Sequence, residues 1–256
     1  MKRDTRVFDD LRALSAAAAA ELVAAANESI ATRGKFTLAL AGGSTPRQTY
    51  ELLATTHRDD IDWPRTVVVF GDERFVPATD PRSNYKMARE ALLDHVPIPV
   101  GNVHSVPTNA PTPADAAALY DAILVRELTG DTSASPDEPG HTVDVALLGV
   151  GPDGHTASLF PDAPELSERS RWVLSVRAPT HGVQPVVPRV TTTLPFLAGA
   201  RRVIFLVAGA DKRRVIGEIL GNTPAGCRYP AALVAPEQPA IWMIDRSAMP
   251  DDRSNA

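Results

Sequence analysis

The sequence predicts an α/β fold of three layers, a mainly parallel sheet covered by helices on both faces. Short apolar runs, nearly unbroken rather than alternating, recur at 36–41, 66–70, 143–148, 202–207 and 240–244, as strands buried on both faces require. Between them lie stretches whose apolar residues step by three or four, the period of an amphipathic helix. Several runs break at their carboxyl ends into glycine-bearing turns: Gly42-Gly43, Gly71-Asp72, Gly149-Val150-Gly151 and Gly209. Open α/β sheets bind their ligands at that edge.

Val7, Leu11, Leu14, Ala18, Leu22, Ala26 and Ile30 form one helical face that ends at Gly34. The period continues through the alanines at 16–20, so they are packing residues and not low-complexity filler. The first strand, 36–41, runs straight into Gly42-Gly43-Ser44-Thr45-Pro46. Two glycines free the backbone, Ser44 or Thr45 stands where a cap belongs, and Pro46 suits the first helical position. The helix that follows turns Tyr50 and Leu53 inward, and its open amides and positive dipole end make the turn a candidate phosphate site. No Gly-Lys-Ser/Thr closes it, so it is not a Walker A loop.

Strand 66–70 leads into the charged turn Gly71-Asp72-Glu73-Arg74. Ser83 caps a helix through Asn84, Met87, Ala91 and Leu92 that ends before Pro97. Residues 102–107 read as a short strand, and Thr112-Pro113-Ala114-Asp115 as a helix start. That helix buries Ala116, Leu119, Tyr120, Ile123, Leu124 and Leu128 and stops at Gly130; residues 131–140 are a polar loop with two prolines. Beyond the central strand at 143–148 come a strand at 172–176, an irregular stretch at 179–188, and Arg189 leading to a short apolar segment at 194–197. Strand 202–207 is followed by a helix that Asp211 caps and Gly221 ends, then by the last strand, 240–244, and a polar tail over 247–256.

With no repeat and no composition break, residues 1–256 read as one α/β domain. A single cysteine, Cys227, excludes an internal disulfide. The charged N-terminus does not resemble a signal peptide and no apolar run reaches a membrane span, so the expectation is a cytoplasmic protein without a membrane partner. A net charge of −5 argues against nucleic acid. Oligomeric state is not fixed by any feature of the sequence, and a monomer is compatible with it. The histidines at 57, 95, 104, 141, 155 and 181 show no paired ligand spacing, so neither a metal nor another cofactor is expected.

The chemistry concentrates at Gly149-Val150-Gly151-Pro152-Asp153-Gly154-His155. The spelling matches a dinucleotide fingerprint, but Pro152 and Asp153 occupy positions where a pyrophosphate needs free amides, and Glu168 sits in a polar loop, a poor ribose acid. The turn instead offers a carboxylate and an imidazole side by side. A serine-hydrolase elbow, G-x-S-x-G, is absent. Lys212, Arg213 and Arg214 crowd a helix's first turn, where each unpaired cation costs about 0.3–1 kcal/mol against the dipole. Asp211 offsets only part of that cost, and an anion bound beside Lys212 would remove it. Gly42, Gly43, Ser44 and Thr45 with Lys212 are thus candidate phosphate ligands, and Asp153 and His155 candidate acid–base groups. Asp72, Arg74 and Arg189 remain for orientation or charge.

Taken together, Leu40-Ala-Gly-Gly-Ser-Thr-Pro46, Asp72-Glu-Arg-Phe-Val-Pro77 with Ser83-Asn84, Asn102-Val-His104, Leu148-Gly-Val-Gly-Pro-Asp-Gly-His-Thr-Ala-Ser-Leu-Phe-Pro161, Arg189-Val-Thr191 and Lys212 resemble the 6-phosphogluconolactonase family. That family lies within the glucosamine-6-phosphate deaminase-like superfamily, and the resemblance covers nearly the whole chain. It implies hydrolysis of a sugar phosphate lactone, 6-phospho-D-glucono-1,5-lactone, in the oxidative pentose phosphate pathway, without metal or organic cofactor. His155 matches the family's general base, with Asp153 orienting or tuning it, and Asp72 joins them as a catalytic candidate. The Ser44 turn, Lys212 and Arg189 match phosphate-binding positions, while Arg74 faces either the phosphate or the developing oxyanion.

Two rivals follow from the same resemblance. The deaminase branch looks like Asp-Gly-His-Ile-Ala-Phe-Asn-Glu-Pro, with a glutamate assisting the histidine; here Ser158, Leu159 and Phe160 occupy the matching stretch and the carboxylate is missing. A non-catalytic sugar-phosphate sensor needs an output module, and with the first strand expected near Phe36 the sequence leaves no space for one.

Overall fold

The structure, a computed structural model, describes residues 3–129, 142–179 and 183–250. Gly130, the loop at 131–140, His141, His181 and the tail from residue 251 lie outside the described residues. In chain order the elements are β1 (Arg3–Phe8), α1 (Leu11–Arg33), β2 (Phe36–Leu40), α2 (Ser44–Thr55), β3 (Thr66–Phe70) and β4 (Asp72–Arg74). Then come α3 (Asn84–Ala88), α4 (Pro113–Thr129), β5 (Val145–Gly149), β6 (Val173–Val176), β7 (Arg189–Thr192) and α5 (Leu194–Ala198). The chain continues through β8 (Arg202–Val207), α6 (Arg213–Leu220), α7 (Pro230–Leu233) and β9 (Ala240–Asp245).

Among the described residues, six strands form one sheet in the order β1-β9-β8-β5-β2-β3, every neighbouring pair parallel. Successive side chains along each strand point to opposite faces, and the apolar runs supply both. Leu38, Leu40, Val145, Leu147, Ile204 and Leu206 pack with Leu14, Leu22, Tyr50 and Leu53 of α1 and α2. Ala39, Ala146, Leu148, Val203, Phe205 and Val207 pack on the other side with α4 and α6, through Tyr120, Leu124, Val215 and Ile219. The expected three layers are therefore present. A second, antiparallel sheet, β4-β7-β6, lies on the α4 side.

Several local expectations are corrected. Val7 belongs to β1 and not to the first helix; Asp10 caps α1, accepting from Ala13 N at 2.8 Å. Among the described residues β1 is an edge strand paired only with β9, and it carries Arg3, Asp4 and Arg6, so it shows no apolar run. The charged turn at Asp72–Arg74 is strand β4, paired with β7. Residues 102–107 make only one bridge, Val103 to Val68. Ser44 and Thr45 do not cap α2, which starts at Ser44 with Gly43 as N-cap at φ +96° and no side-chain cap, so Pro46 is its third residue. Asp211 does not cap α6 either: it lies in a 3-10 turn, Ala210–Lys212, that leads into the helix.

Asp144, at the foot of β5, stitches β5 to β2. Its buried carboxylate accepts from Thr37 N and Thr37 Oγ1, both at 2.8 Å, and pairs with Arg33 at 2.9 Å. Removing it strands a buried amide and a hydroxyl, so Asp144→Ala is expected to cost about 2–3 kcal/mol, measured as a lower urea midpoint at unchanged m-value.

Candidate active site

β2 and β5 are neighbours, yet the chain leaves them in opposite directions, β2 toward β3 and β5 toward β8. Such a reversal of strand order opens a crevice at the carboxyl ends. A cleft of about 230 Å³ lies there. Gly42, Gly43, Ser44 and Thr45 line it from the turn after β2, and Gly149, Gly151 and His155 from the turn after β5. Asp72, Arg74 and Arg189 reach it from the second sheet, and Lys212 from the amino end of α6. Asp153 is not part of the lining; it stands behind His155.

The Asp153–His155 pair is made within one turn. His155 Nδ1 lies 2.6 Å from Asp153 Oδ1, and the same oxygen accepts from the His155 backbone amide at 3.2 Å. A carboxylate accepts only, so this bond assigns the proton to Nδ1 and leaves Nε2 with a free lone pair. Burial pushes the Asp153 carboxyl up, but the hydrogen bond and charge of His155 outweigh it and hold the group below its ordinary value. Gly151 makes the pairing possible: a Cβ there would lie 2.0 Å from His155 Nδ1 and 2.5 Å from Asp153 Oδ1. The imidazole packs on Phe160, ring centroids 5.1 Å apart.

Positive charge surrounds this base. Arg189 is 2% exposed, donates to Pro185 O at 3.1 Å, and lies 5.6 Å from the centroid of the same Phe160 ring. Burial lowers its affinity for the proton, which the nearby Asp72 carboxylate opposes. Arg74 donates to Arg82 O at 2.9 Å and to Asn84 Oδ1. Neither guanidinium has a partner for its buried Nε–H among the described residues, a donor left unsatisfied beside the cleft in each case. Lys212 is ion-paired with Asp211, its side chain 18% exposed. Because Gly43 brings no capping side chain, the first amides of α2 are also open to an anion.

Three supporting residues were not singled out for a role by the sequence. Ser158 is fully buried; its Oγ donates to Asp72 Oδ2 at 2.6 Å, and Asn84 Nδ2 donates to Asp72 Oδ1 at 3.1 Å. Both oxygens of Asp72 are thereby engaged. Glu73 accepts from the amides of Arg74, Asn84 and Tyr85 and from Ser83 Oγ, at 2.7 to 2.9 Å, and so fixes the loop that bears Arg74. Burial raises its carboxyl above the ordinary value, and those four bonds oppose the shift. A close fit also ties Asn84 to the phosphate turn, since a Cβ on Gly42 would meet Asn84 Oδ1 at 1.9 Å. The available signal was their place within the family motifs, Glu73 in Asp72–Pro77, Asn84 beside Ser83, and Ser158 in Leu148–Pro161.

Among the described residues, no group of three His, Cys, Asp or Glu side chains gathers as a metal ion would need, and no helix is long and apolar enough to cross a membrane. A family profile described as glucosamine-6-phosphate isomerases/6-phosphogluconolactonase matches residues 9–243. The chain is 39% identical to a 6-phosphogluconolactonase of Nostoc sp. over 97% of its own length and 98% of the relative's. It is 41% identical to one from Synechocystis sp., over 86% of each. A solved 6-phosphogluconolactonase from Trypanosoma cruzi superposes with a TM-score of 0.82 at 30% identity, covering 96% of both chains. The motif resemblance, the strand reversal with its glycine turns, and these likenesses agree: the chain belongs to the glucosamine-6-phosphate isomerase/6-phosphogluconolactonase family.

Proposed function

We propose that this chain hydrolyses 6-phospho-D-glucono-1,5-lactone to 6-phospho-D-gluconate, with His155 as general base. The observation that carries the reading is an imidazole held by Asp153 at 2.6 Å on the rim of a cleft also lined by Lys212, Arg74 and Arg189. Nε2 takes a proton from water as the water attacks the lactone carbonyl carbon. The tetrahedral oxyanion then collapses, the bond to the ring oxygen breaks, and that oxygen recovers the proton from the imidazolium. Asp153 favours the charged imidazolium through its carboxylate and fixes the ring's orientation. Lys212 and the open amides of α2 hold the phosphate. Arg74 and Arg189 add positive charge for the phosphate or the oxyanion, and Arg189, against the same Phe160 ring as His155, lies on the base's side of the cleft.

An assay on freshly prepared 6-phosphogluconolactone, with spontaneous opening subtracted, tests the reading against glucosamine 6-phosphate and unphosphorylated gluconolactone. Only the phosphorylated lactone should turn over efficiently. Deamination of glucosamine 6-phosphate at a comparable rate would overturn the proposal. Phe160 packs on His155 where the deaminase branch uses its Asp-Gly-His-Ile-Ala-Phe-Asn-Glu-Pro stretch to bring in a glutamate.

Lys212→Ala removes a cation from the phosphate end and leaves the base alone. Its KM for the phosphorylated lactone is expected to rise about tenfold or more, the value of one charge-assisted hydrogen bond, with kcat much less affected. Initial-rate kinetics at saturating and subsaturating lactone separate the two.

A further inference from the structure

The turn that carries His155 is braced from behind, on the side away from the cleft. Gly154, between Asp153 and His155, has φ +84°, and a Cβ built on it would lie 2.4 Å from Cγ and Cδ1 of Tyr229. The Tyr229 ring therefore fills the space directly against the Gly154 α-carbon. One residue past Pro230, Ala231 N donates to Gly154 O at 3.1 Å, a second hold on the same peptide. Tyr229 does not line the cleft.

The other end of Tyr229 is anchored to α6. Its hydroxyl donates to Glu218 Oε2 and accepts from Arg214 Nη1 at 3.0 Å, while Arg214 and Glu218 pair at 2.9 Å. The segment before it is pressed on the same helix: a Cβ on Gly226 would meet Glu218 O at 2.0 Å. Lys212 stands at the amino end of α6. One side chain thus spans from the helix that presents Lys212 to the turn that presents His155.

We propose that Tyr229 is a positioning residue: its ring backs Gly154 and fixes the turn that aims His155 into the cleft. This rests on His155 being the base for lactone hydrolysis. A left-handed glycine has wide conformational freedom, and the pair Asp153–His155 is built on the two residues flanking it. Without the ring, the turn gains room to move outward, and displacement of a base by about 1 Å can cost roughly 100-fold in rate.

The test compares Tyr229→Ala, Tyr229→Leu and Tyr229→Phe with the wild-type chain on 6-phosphogluconolactone, after thermal melting of each variant. Tyr229→Ala is expected to lose about tenfold or more in kcat with KM changed less than about threefold, since α6 and Lys212 keep their own packing. Tyr229→Phe keeps the ring against Gly154 and should recover most of that kcat. If Tyr229→Ala does not melt cooperatively, Tyr229→Leu, which keeps apolar volume but not a flat ring, takes its place with the same expected split. Wild-type kcat in a folded Ala or Leu variant would overturn the proposal. So would a loss that falls on KM alone, or one that phenylalanine fails to rescue. A wild-type chain inactive on the lactone would instead sink the base assignment itself, and the brace with it.

Discussion

His155→Ala is expected to lower kcat on 6-phosphogluconolactone by about 10²–10⁴-fold, the usual contribution of a positioned general base. The side chain is 18% exposed and makes its hydrogen bond within its own turn, to Asp153, so the fold is expected to survive its removal. The Gly151 N to His155 O bond, 2.9 Å, is backbone to backbone and persists in the variant. KM should change little, because the phosphate contacts belong to other elements. A melting curve close to wild type, together with kcat near the background of spontaneous opening, is the expected result. Full activity in a folded His155→Ala protein would refute the base assignment.

Gly151→Ala is expected to be nearly as damaging, about 100-fold in kcat, although it removes no functional group. The new methyl would lie 2.0 Å from Nδ1, 2.2 Å from Cε1 of His155 and 2.5 Å from Asp153 Oδ1. No contact that short survives, so the imidazole must swing away and lose its carboxylate. Both the tautomer and the aim of Nε2 then go unspecified. Binding of the phosphate is untouched, so the loss should fall on kcat and not on KM. The variant separates a turn that merely connects β5 to the next segment from one that shapes a base: wild-type kcat in Gly151→Ala would show that the Asp153–His155 contact is dispensable.

The central strands were legible because a parallel strand buried on both faces has to be apolar throughout, and residues 36–40, 66–70, 145–148 and 202–207 are nearly so. The two glycine turns were legible for a related reason: a chain leaving a buried strand toward a ligand needs freedom that only glycine gives at Gly43 and Gly154, with φ of +96° and +84°. β1 was hidden because an edge strand bearing Arg3, Asp4 and Arg6 shows no apolar run. β4 was hidden because three charged residues, Asp72, Glu73 and Arg74, become a strand only when β7, more than a hundred residues on, pairs with them. The supporting network has the same origin. Ser158 meets Asp72 across 86 positions of sequence, and no local pattern encodes that contact. His155 with Asp153 could be read because the pair is local, separated by two residues.

The placement of β1 has a bearing on how the molecule is assembled. Residues Arg3 to Phe8 are made before every other strand of the six-stranded sheet, yet their one strand partner among the described residues, Ala240 to Asp245, is the last strand of that sheet to be made. β9 also lies between β1 and β8, so β1 joins the sheet only after β9 has been made. A nascent chain carries β1 unpaired while the other strands of the sheet are made, and a truncation that removes β9 orphans β1 as well. Two strands separated by the rest of the sheet in sequence are thus neighbours in space: loss of β1 bares the flank of β9, and loss of β9 bares that of β8.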